Sequence, residues 1–351
     1  MSLSSSKGAH SIEDLCAFGL LAAPPSDGLI NAVKNHAVSL TPSVLSLIRT
    51  GDPVDPIAQQ FVPNEKENAP FPAARKDPIG DDQHSPVKGV IHRYPDRLLL
   101  NLSYACPVSC RFCFRRSKIN GKASTLSEQE IETALAYIKA HPEIWEVILS
   151  GGEPLALSPR RLASVLKELD KIDHVRALRI HTRAPITVPE VFSTPLIHLL
   201  ASPQKPLSLF IHCNHPQELG NETRSILSKL SQAGIPLYSQ SVLLRGVNDK
   251  TETLTDLMRA FVECKIKPHY LHHPDLAEGT AHFHVSIDKG IELVQALRGN
   301  LSSLCQPTYV LDCPGGLGKV SLLSPCAKKT PEGWELTTYQ GQKFLYKIFA
   351  E

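Results

Sequence analysis

No apolar run in this chain of 351 residues approaches the roughly 20 needed to cross a bilayer, so the sequence offers no transmembrane helix. The opening stretch from Met1 to His10 is rich in serine and lacks the apolar segment of a secretory signal, which makes a cytoplasmic location the expectation. An excess of one charge is missing too. Lys and Arg number 37 against 35 Asp and Glu, and a net charge of +2 gives no electrostatic reason to expect nucleic acid. Internal repeats and low-complexity tracts are absent. So is a P-loop: Lys319 ends a glycine-rich run, but Val320 follows it and Cys313 stands where that motif needs its first glycine. What is there is ordinary for a soluble globular protein, 42% hydrophobic and 21% charged, and long enough for one large α/β barrel with an extension.

Residues 1 to about 90 read as short helices among proline-rich connections, at Ser11–Leu21, Asp27–His36 and Pro42–Ile48, with Gly51–Asp82 mostly irregular. This region, 1–90, is expected to form a mainly helical extension on a core of 91–320, with 321–351 a short tail carrying a hairpin within Gly333–Phe349. From Arg97 onward, short β-branched runs alternate with amphipathic stretches. Strands are expected at Leu98–Ser103, Glu146–Ser150, Ala177–Thr182, Leu207–Cys213, Leu237–Leu244 and Pro268–Leu271, with a seventh at Thr308–Asp312. Helices fill the gaps at Ser127–Ala140, Pro159–Leu169, Pro189–Leu200, Glu222–Ala233, Glu252–Cys264 and Ser286–Leu297. Ser127 with Glu130 has the form of a capping box, and Ser158 precedes a proline at the first helical position. The fold class is α/β, a partial (βα)6 parallel barrel behind a helical extension. The unusual polar segments, Cys106–Arg116, Gly151–Pro154, His181–Arg183, His212–His215 and His272–Asp275, fall at the C-terminal ends of expected strands, on the rim where such barrels assemble active sites.

Nine cysteines is an odd number, and Cys106, Cys110 and Cys113 crowd together at a spacing of C-x₃-C-x₂-C. In an intracellular chain such clustering points to metal rather than disulfides. Three thiolates so spaced can hold three corners of a [4Fe–4S] cluster and leave the fourth iron open to a small molecule. A structural zinc site is the rival, but zinc wants four ligands and no fourth cysteine lies at finger-like spacing. The other six (Cys16, Cys213, Cys264, Cys305, Cys313, Cys326) read as free thiols, mostly buried. Near the C-terminus, Lys319 in Cys-Pro-Gly-Gly-Leu-Gly-Lys suits either a Schiff base to pyridoxal phosphate or a solvated lysine on a flexible loop.

The cysteine spacing after the first strand resembles the radical S-adenosylmethionine superfamily, and Ser150-Gly-Gly-Glu-Pro154 after the second resembles its glycine-rich segment, implying S-adenosyl-L-methionine contacts from Gly151, Gly152 and Glu153. From about Pro86 to Lys319 the segments together resemble the lysine 2,3-aminomutase family. That resemblance implies a radical-SAM-type barrel, with Arg93 and Arg97 of His92-Arg-Tyr-Pro-Asp-Arg97 facing pyridoxal 5'-phosphate and Lys319 forming its Schiff base. It places His212 and Gln240 near S-adenosylmethionine, Arg115 on the substrate carboxylate, and Asp275 and Asp312 on the distal ammonium of L-lysine. Two acids there favour a cationic amino acid, since a glutamate side chain would be repelled. The implied reaction converts L-α-lysine to β-lysine through a 5'-deoxyadenosyl radical and pyridoxal phosphate. An electron donor such as flavodoxin or ferredoxin is implied with it.

Within the family, Lys250 replaces a zinc-partner cysteine, the chain stops about thirty residues after Lys319, and Leu317 stands where glycine is usual. Zinc-linked assembly is therefore not expected. The helical leader and Gly51-Asp-Pro-Val-Asp-Pro56 are similar to the short bacterial enzymes that make β-lysine for elongation factor P, where a separate lysyl ligase attaches it. A stand-alone lysine or arginine aminomutase is the alternative, and a non-enzymatic metal-binding protein a more distant one.

Overall fold

The computed structural model describes residues 7–119, 125–323, 326–338 and 341–347. The chain begins with four short helices: α1 (Ile12–Ala17), α2 (Asp27–Asn35), α3 (Pro42–Leu47) and α4 (Pro56–Phe61). Each has a side-chain N-cap, respectively Ser11, Ser26, Thr41 and Asp55, and proline opens α3 and α4, where its missing N–H costs nothing. They enclose their own small core of Leu15, Leu40, Val44, Leu45, Ile57 and Phe61. Val108, from between the first two clustered cysteines, belongs to that core, and Cys106 and Cys110 pack against it. The cysteine loop therefore rests on the N-terminal layer.

The main sheet runs through β1 (Val90–Tyr94), β2 (Arg97–Ser103), β3 (Glu146–Gly151), β4 (Ala177–Thr182), β5 (Leu207–His212), β6 (Leu237–Val242), β7 (Ile266–His272), β8 (Thr308–Cys313) and β9 (Gly318–Ser321) in simple sequential order. From β2 to β8 every pairing is parallel, and the two outermost strands, β1 and β9, pair antiparallel. A side-chain hydroxyl joins the ends of the sheet: the backbone N–H of Lys319 on β9 donates to the Tyr94 hydroxyl on β1 at 2.8 Å. The result is a nearly closed, parallel-rich α/β barrel with helices at the N-terminus.

Crossover helices cover the outside: α5 (Glu128–Ala140), α6 (Pro159–Asp170), α7 (Ala184–Thr187), α8 (Thr194–Ala201), α9 (Asn221–Gln232), α10 (Thr251–Glu263) and α11 (Ile287–Asn300). The apolar stripe of α6, Leu162, Val165, Leu166 and Leu169, shows why such sequences fold this way, since positions three and four apart share the face turned to the sheet. The Ser127–Glu130 capping box forms, and the Ser158 hydroxyl accepts from Arg161 N–H. The expected helix Pro189–Leu200 is instead a short turn at Pro189–Val191 followed by α8, because Pro189 and Pro195 each withdraw a backbone donor and restart the chain. Gly51–Asp82 holds more structure than its composition suggests, including α4 and a capped turn at Glu65–Asn68. After β9 come β10 (Ala327–Thr330), β11 (Gly333–Thr337) and β12 (Lys343–Tyr346), an antiparallel sheet containing the expected terminal hairpin; residues 348–351 lie outside the described ones. Among the described residues no helix is long and apolar enough to cross a membrane.

Candidate active site

A cavity of about 530 Å³ runs through the barrel, and every site residue named from the sequence lines it: Arg93, Arg97, Cys106, Cys110, Cys113, Arg115, Gly151, Gly152, Glu153, His212, Gln240, Asp275, Asp312 and Lys319. These positions span 227 residues of sequence, from Arg93 to Lys319, and only the curling of the sheet brings them together.

At one end the cysteine loop follows β2. Its backbone is tied to the N-terminal layer by Ser109 N–H to Ser39 O and Arg111 N–H to Gln60 O, both 2.8 Å. Arg111 is fully buried and forks onto Glu67 at 2.8 and 2.6 Å, while Arg116 adds a third bond to Glu67 at 2.7 Å. Arg183, just past β4, donates to Gln60 at 2.6 Å and Glu218 at 2.7 Å, and its other terminal nitrogen reaches the Cys110 sulfur at 3.1 Å. Burial pushes all three thiols up, that of Cys113 to about 11, so thiolates here need an added cationic centre. An iron–sulfur cluster supplies that charge, and the donor set fits it. Among the described residues, no three His, Cys, Asp or Glu side chains close around a single point as ligands of one ion would.

Beside the cysteines, Gly152 N–H donates to Ser103 O at 2.8 Å and Glu153 N–H to Ala105 O at 3.0 Å. A Cβ at Gly151 would strike Ser103 O, and one at Gly152 would strike Ala105 O. Gly151 also has φ +107°, in the region favouring glycine. Both glycines are thus required by the close approach of two backbone segments beneath the cysteine loop. The Glu153 carboxylate is buried and already accepts from Thr182 Oγ1 (2.7 Å), Arg183 N–H (2.8 Å) and Leu155 N–H (3.0 Å). Its side chain braces β4, and what the segment offers a ligand is backbone. His212 stacks on Phe112 at 5.5 Å, is kept neutral by burial and nearby Arg183, and leaves Nε2 buried without a partner among the described residues. An orphaned nitrogen beside the cysteines and the glycine segment suits a polar ligand such as S-adenosylmethionine.

Deeper in the barrel, β8 and β9 form a hairpin that sets Asp312 opposite Lys319. Lys319 Nζ donates to Asp312 Oδ1 at 2.8 Å, and His272 Nδ1 lies 3.2 Å from Oδ2. Burial favours the neutral acid at Asp312, but Lys319 and His272 outweigh it and hold the carboxyl well below its ordinary range. Burial likewise works against charge on Lys319, and Asp312 overcomes it, raising the amine. Asp275 is raised instead, by burial and by repulsion from Asp312, and its carboxylate makes no hydrogen bond or ion pair among the described residues. In the hairpin loop, Gly315 (φ +77°) and Gly316 (φ +78°) take the left-handed turns while Leu317 does not, so Leu317 fits without strain and packs on the core. Arg97 lies over the Tyr94 ring at 3.9 Å and pairs with Asp96 at 2.6 Å. An amine on a β-hairpin, with Arg93 and Arg97 close by on β1 and β2, suits an aldehyde cofactor bearing a phosphate.

Sequence reasoning missed Asp81, which is 1% exposed and bridges two of the expected arginines: Arg93 at 3.0 Å and Arg115 at 2.9 Å. It also missed Gln60, Glu67 and Glu218, which hold the cysteine loop. Their only signal was isolated polar residues in segments taken as irregular or as loops. His181 and His272 were visible as polar residues at strand ends, without a role.

A sequential parallel barrel with three thiols on the rim after its first parallel strand defines a radical S-adenosylmethionine enzyme, and the Radical SAM superfamily model matches residues 100–258. The chain is 37% identical over 314 residues to the L-lysine 2,3-aminomutase of Clostridium subterminale, covering 90% of this chain and 75% of that one. It is 35% identical over 292 residues to the L-lysine 2,3-aminomutase of Escherichia coli (strain K12), covering 83% and 85%. To the glutamate 2,3-aminomutase of Clostridioides difficile (strain 630) it is 34% identical over 291 residues, covering 81% and 67%. The chain belongs to the lysine 2,3-aminomutase family and is a radical S-adenosylmethionine isomerase, a class that uses a [4Fe–4S] cluster and S-adenosylmethionine.

Proposed function

We propose that this enzyme is a lysine 2,3-aminomutase, converting L-α-lysine to β-lysine with pyridoxal 5'-phosphate as third cofactor. One observation carries the substrate choice: Asp275 and Asp312 face the same cavity as Arg115, and among the described residues no cation is bonded to Asp275. A substrate cation there would lower the cost of ionising Asp275, whereas a glutamate side chain would add a third buried carboxylate. When bound, the cluster and S-adenosylmethionine supply a hydrogen-abstracting radical, and pyridoxal phosphate supplies the π-system across which nitrogen can move. Cys106, Cys110 and Cys113 hold the cluster; the Gly151–Gly152 backbone, His212 and Gln240 face S-adenosylmethionine; Arg93, Arg97 and Lys319 hold pyridoxal phosphate. Lys319 must first lose its extra proton, and the Asp312 carboxylate 2.8 Å away works against that loss by holding the amine charged. Arg115 receives the substrate carboxylate, and the nearly closed barrel limits the access of water to reactive species.

The product is proposed to serve β-lysylation of elongation factor P in the cytoplasm, with a separate lysyl ligase and a flavodoxin- or ferredoxin-type donor. Lys250 and the Gly51–Pro56 segment support this by their resemblance to the short members. Anaerobic reconstitution with iron, sulfide, pyridoxal phosphate and S-adenosylmethionine, with a one-electron reductant such as dithionite to reduce the cluster, should give β-lysine from L-lysine and no product from L-glutamate. Glutamate turnover, or arginine turnover exceeding that of lysine, would reject the assignment. Ligase and factor added with the product should yield the mass increment of one lysyl residue on the factor.

A further inference from the structure

We infer that Asp81 is the positioning residue that aims both anion-binding arginines of the cavity, and that the turn carrying it ties them to the hairpin bearing Lys319. This rests on the function proposed above. Asp81 Oδ1 accepts from Arg93 Nη2 at 3.0 Å and Oδ2 from Arg115 Nε at 2.9 Å. One carboxylate, buried between two guanidiniums, thus fixes an arginine assigned to the cofactor and another assigned to the substrate carboxylate. Both are held from behind. Arg115 keeps its Nη1 directed at Ser150 Oγ, 3.5 Å away on the cavity wall, and Arg93 keeps its Nη1 toward Asp312 at 3.9 Å. Ile79 O adds a second acceptor to Arg93 at 2.7 Å. Asp77 secures the carboxylate in turn, accepting from the N–H groups of Asp81 and Asp82 at 2.9 and 2.8 Å.

The same turn presses on the Lys319 hairpin. A Cβ on Gly80 would sit 2.7 Å from the Gly315–Gly316 peptide, the Gln83 amide donates to Gly315 O, and the His84 ring fills the space above Gly316. Residues 80–84 therefore touch β1, the cysteine loop and the β8–β9 hairpin, the elements that carry Arg93, Arg115 and Lys319. Charge counting alone predicts the opposite of this role. Removing an acid beside two arginines should tighten the binding of anionic groups, whereas releasing two aimed guanidiniums should weaken it.

Reconstituted Asp81→Asn enzyme decides between these, read by cluster iron content, by absorbance titration of the pyridoxal phosphate Kd, and by kcat and KM for L-lysine. Both the cofactor Kd and the lysine KM should rise tenfold or more, with iron content unchanged and kcat within a few-fold of the parent. Constants within twofold of the parent, or tighter binding, overturn the inference. Should Asp81→Asn fail to fold, Gln83→Ala at an exposed position decides. The cofactor Kd should rise at least threefold there, and an unchanged value overturns the coupling. Unaltered protein that binds neither pyridoxal phosphate nor lysine would reject the proposed function itself, so the two failures are distinguishable.

Discussion

Asp275→Asn should move stability and affinity in opposite directions. In the free enzyme, burial and the neighbouring Asp312 raise the Asp275 carboxyl well above its ordinary range, with Lys319 and Arg115 only partly opposing them. A carboxyl raised on folding takes up a proton between its unfolded and folded pKa values, so it costs stability increasingly as pH climbs through that window. Asparagine never ionises and escapes that cost, so the substrate-free variant should melt at a higher temperature near neutral pH, with the gain shrinking as pH falls toward 4, about where an unfolded Asp titrates. Lysine binding should suffer. A hydrogen bond to a charged group is worth about 1.5–3 kcal/mol, which converts to a loss of roughly 10- to 150-fold in kcat/KM for lysine. The pH profile adds a third sign. Lysine KM in the parent should fall as pH rises through the raised Asp275 pKa, because the acid must ionise to meet the ammonium, and that slope should vanish in the variant. Initial rates of β-lysine formation across pH, with thermal unfolding of the apo-protein, measure all three. A variant that melts lower than the parent and keeps its lysine KM within twofold would refute the reasoning.

Lys319→Ala should abolish the visible absorption of bound pyridoxal phosphate while leaving cluster absorption intact; an unchanged cofactor band would reject Lys319 as the anchor. Gly152→Ala places a Cβ against Ala105 O, a backbone atom with no room to retreat, and should cost about 1–3 kcal/mol with a marked fall in iron bound per chain. Glu67→Gln leaves Arg111 and Arg116 buried with no acid between them and should destabilise by about 3–5 kcal/mol, read by denaturant unfolding. Iron retention should fall in the same variant, because the arginines it frees lie within the cysteine loop.

The amino-acid sequence by itself determined the elements and the rim. β-Branched runs alternating with amphipathic stretches led to the parallel strands within a residue or two, and the C-x₃-C-x₂-C spacing marked three thiols that lie on one cavity wall. Such signals are local, carried by periods of 2 and 3.6 residues and by short spacings. The tertiary structure decided the rest. It tied the Glu153 carboxylate to Thr182 and Arg183, seated the cysteine loop on α1–α4, and set Asp81 between Arg93 and Arg115. Each of these contacts joins residues from different elements of the chain, and a single polar residue in an irregular segment leaves no periodic trace of its partner. Whether two distant groups meet depends on how the sheet curls and where the N-terminal layer docks, and packing of the whole core sets both.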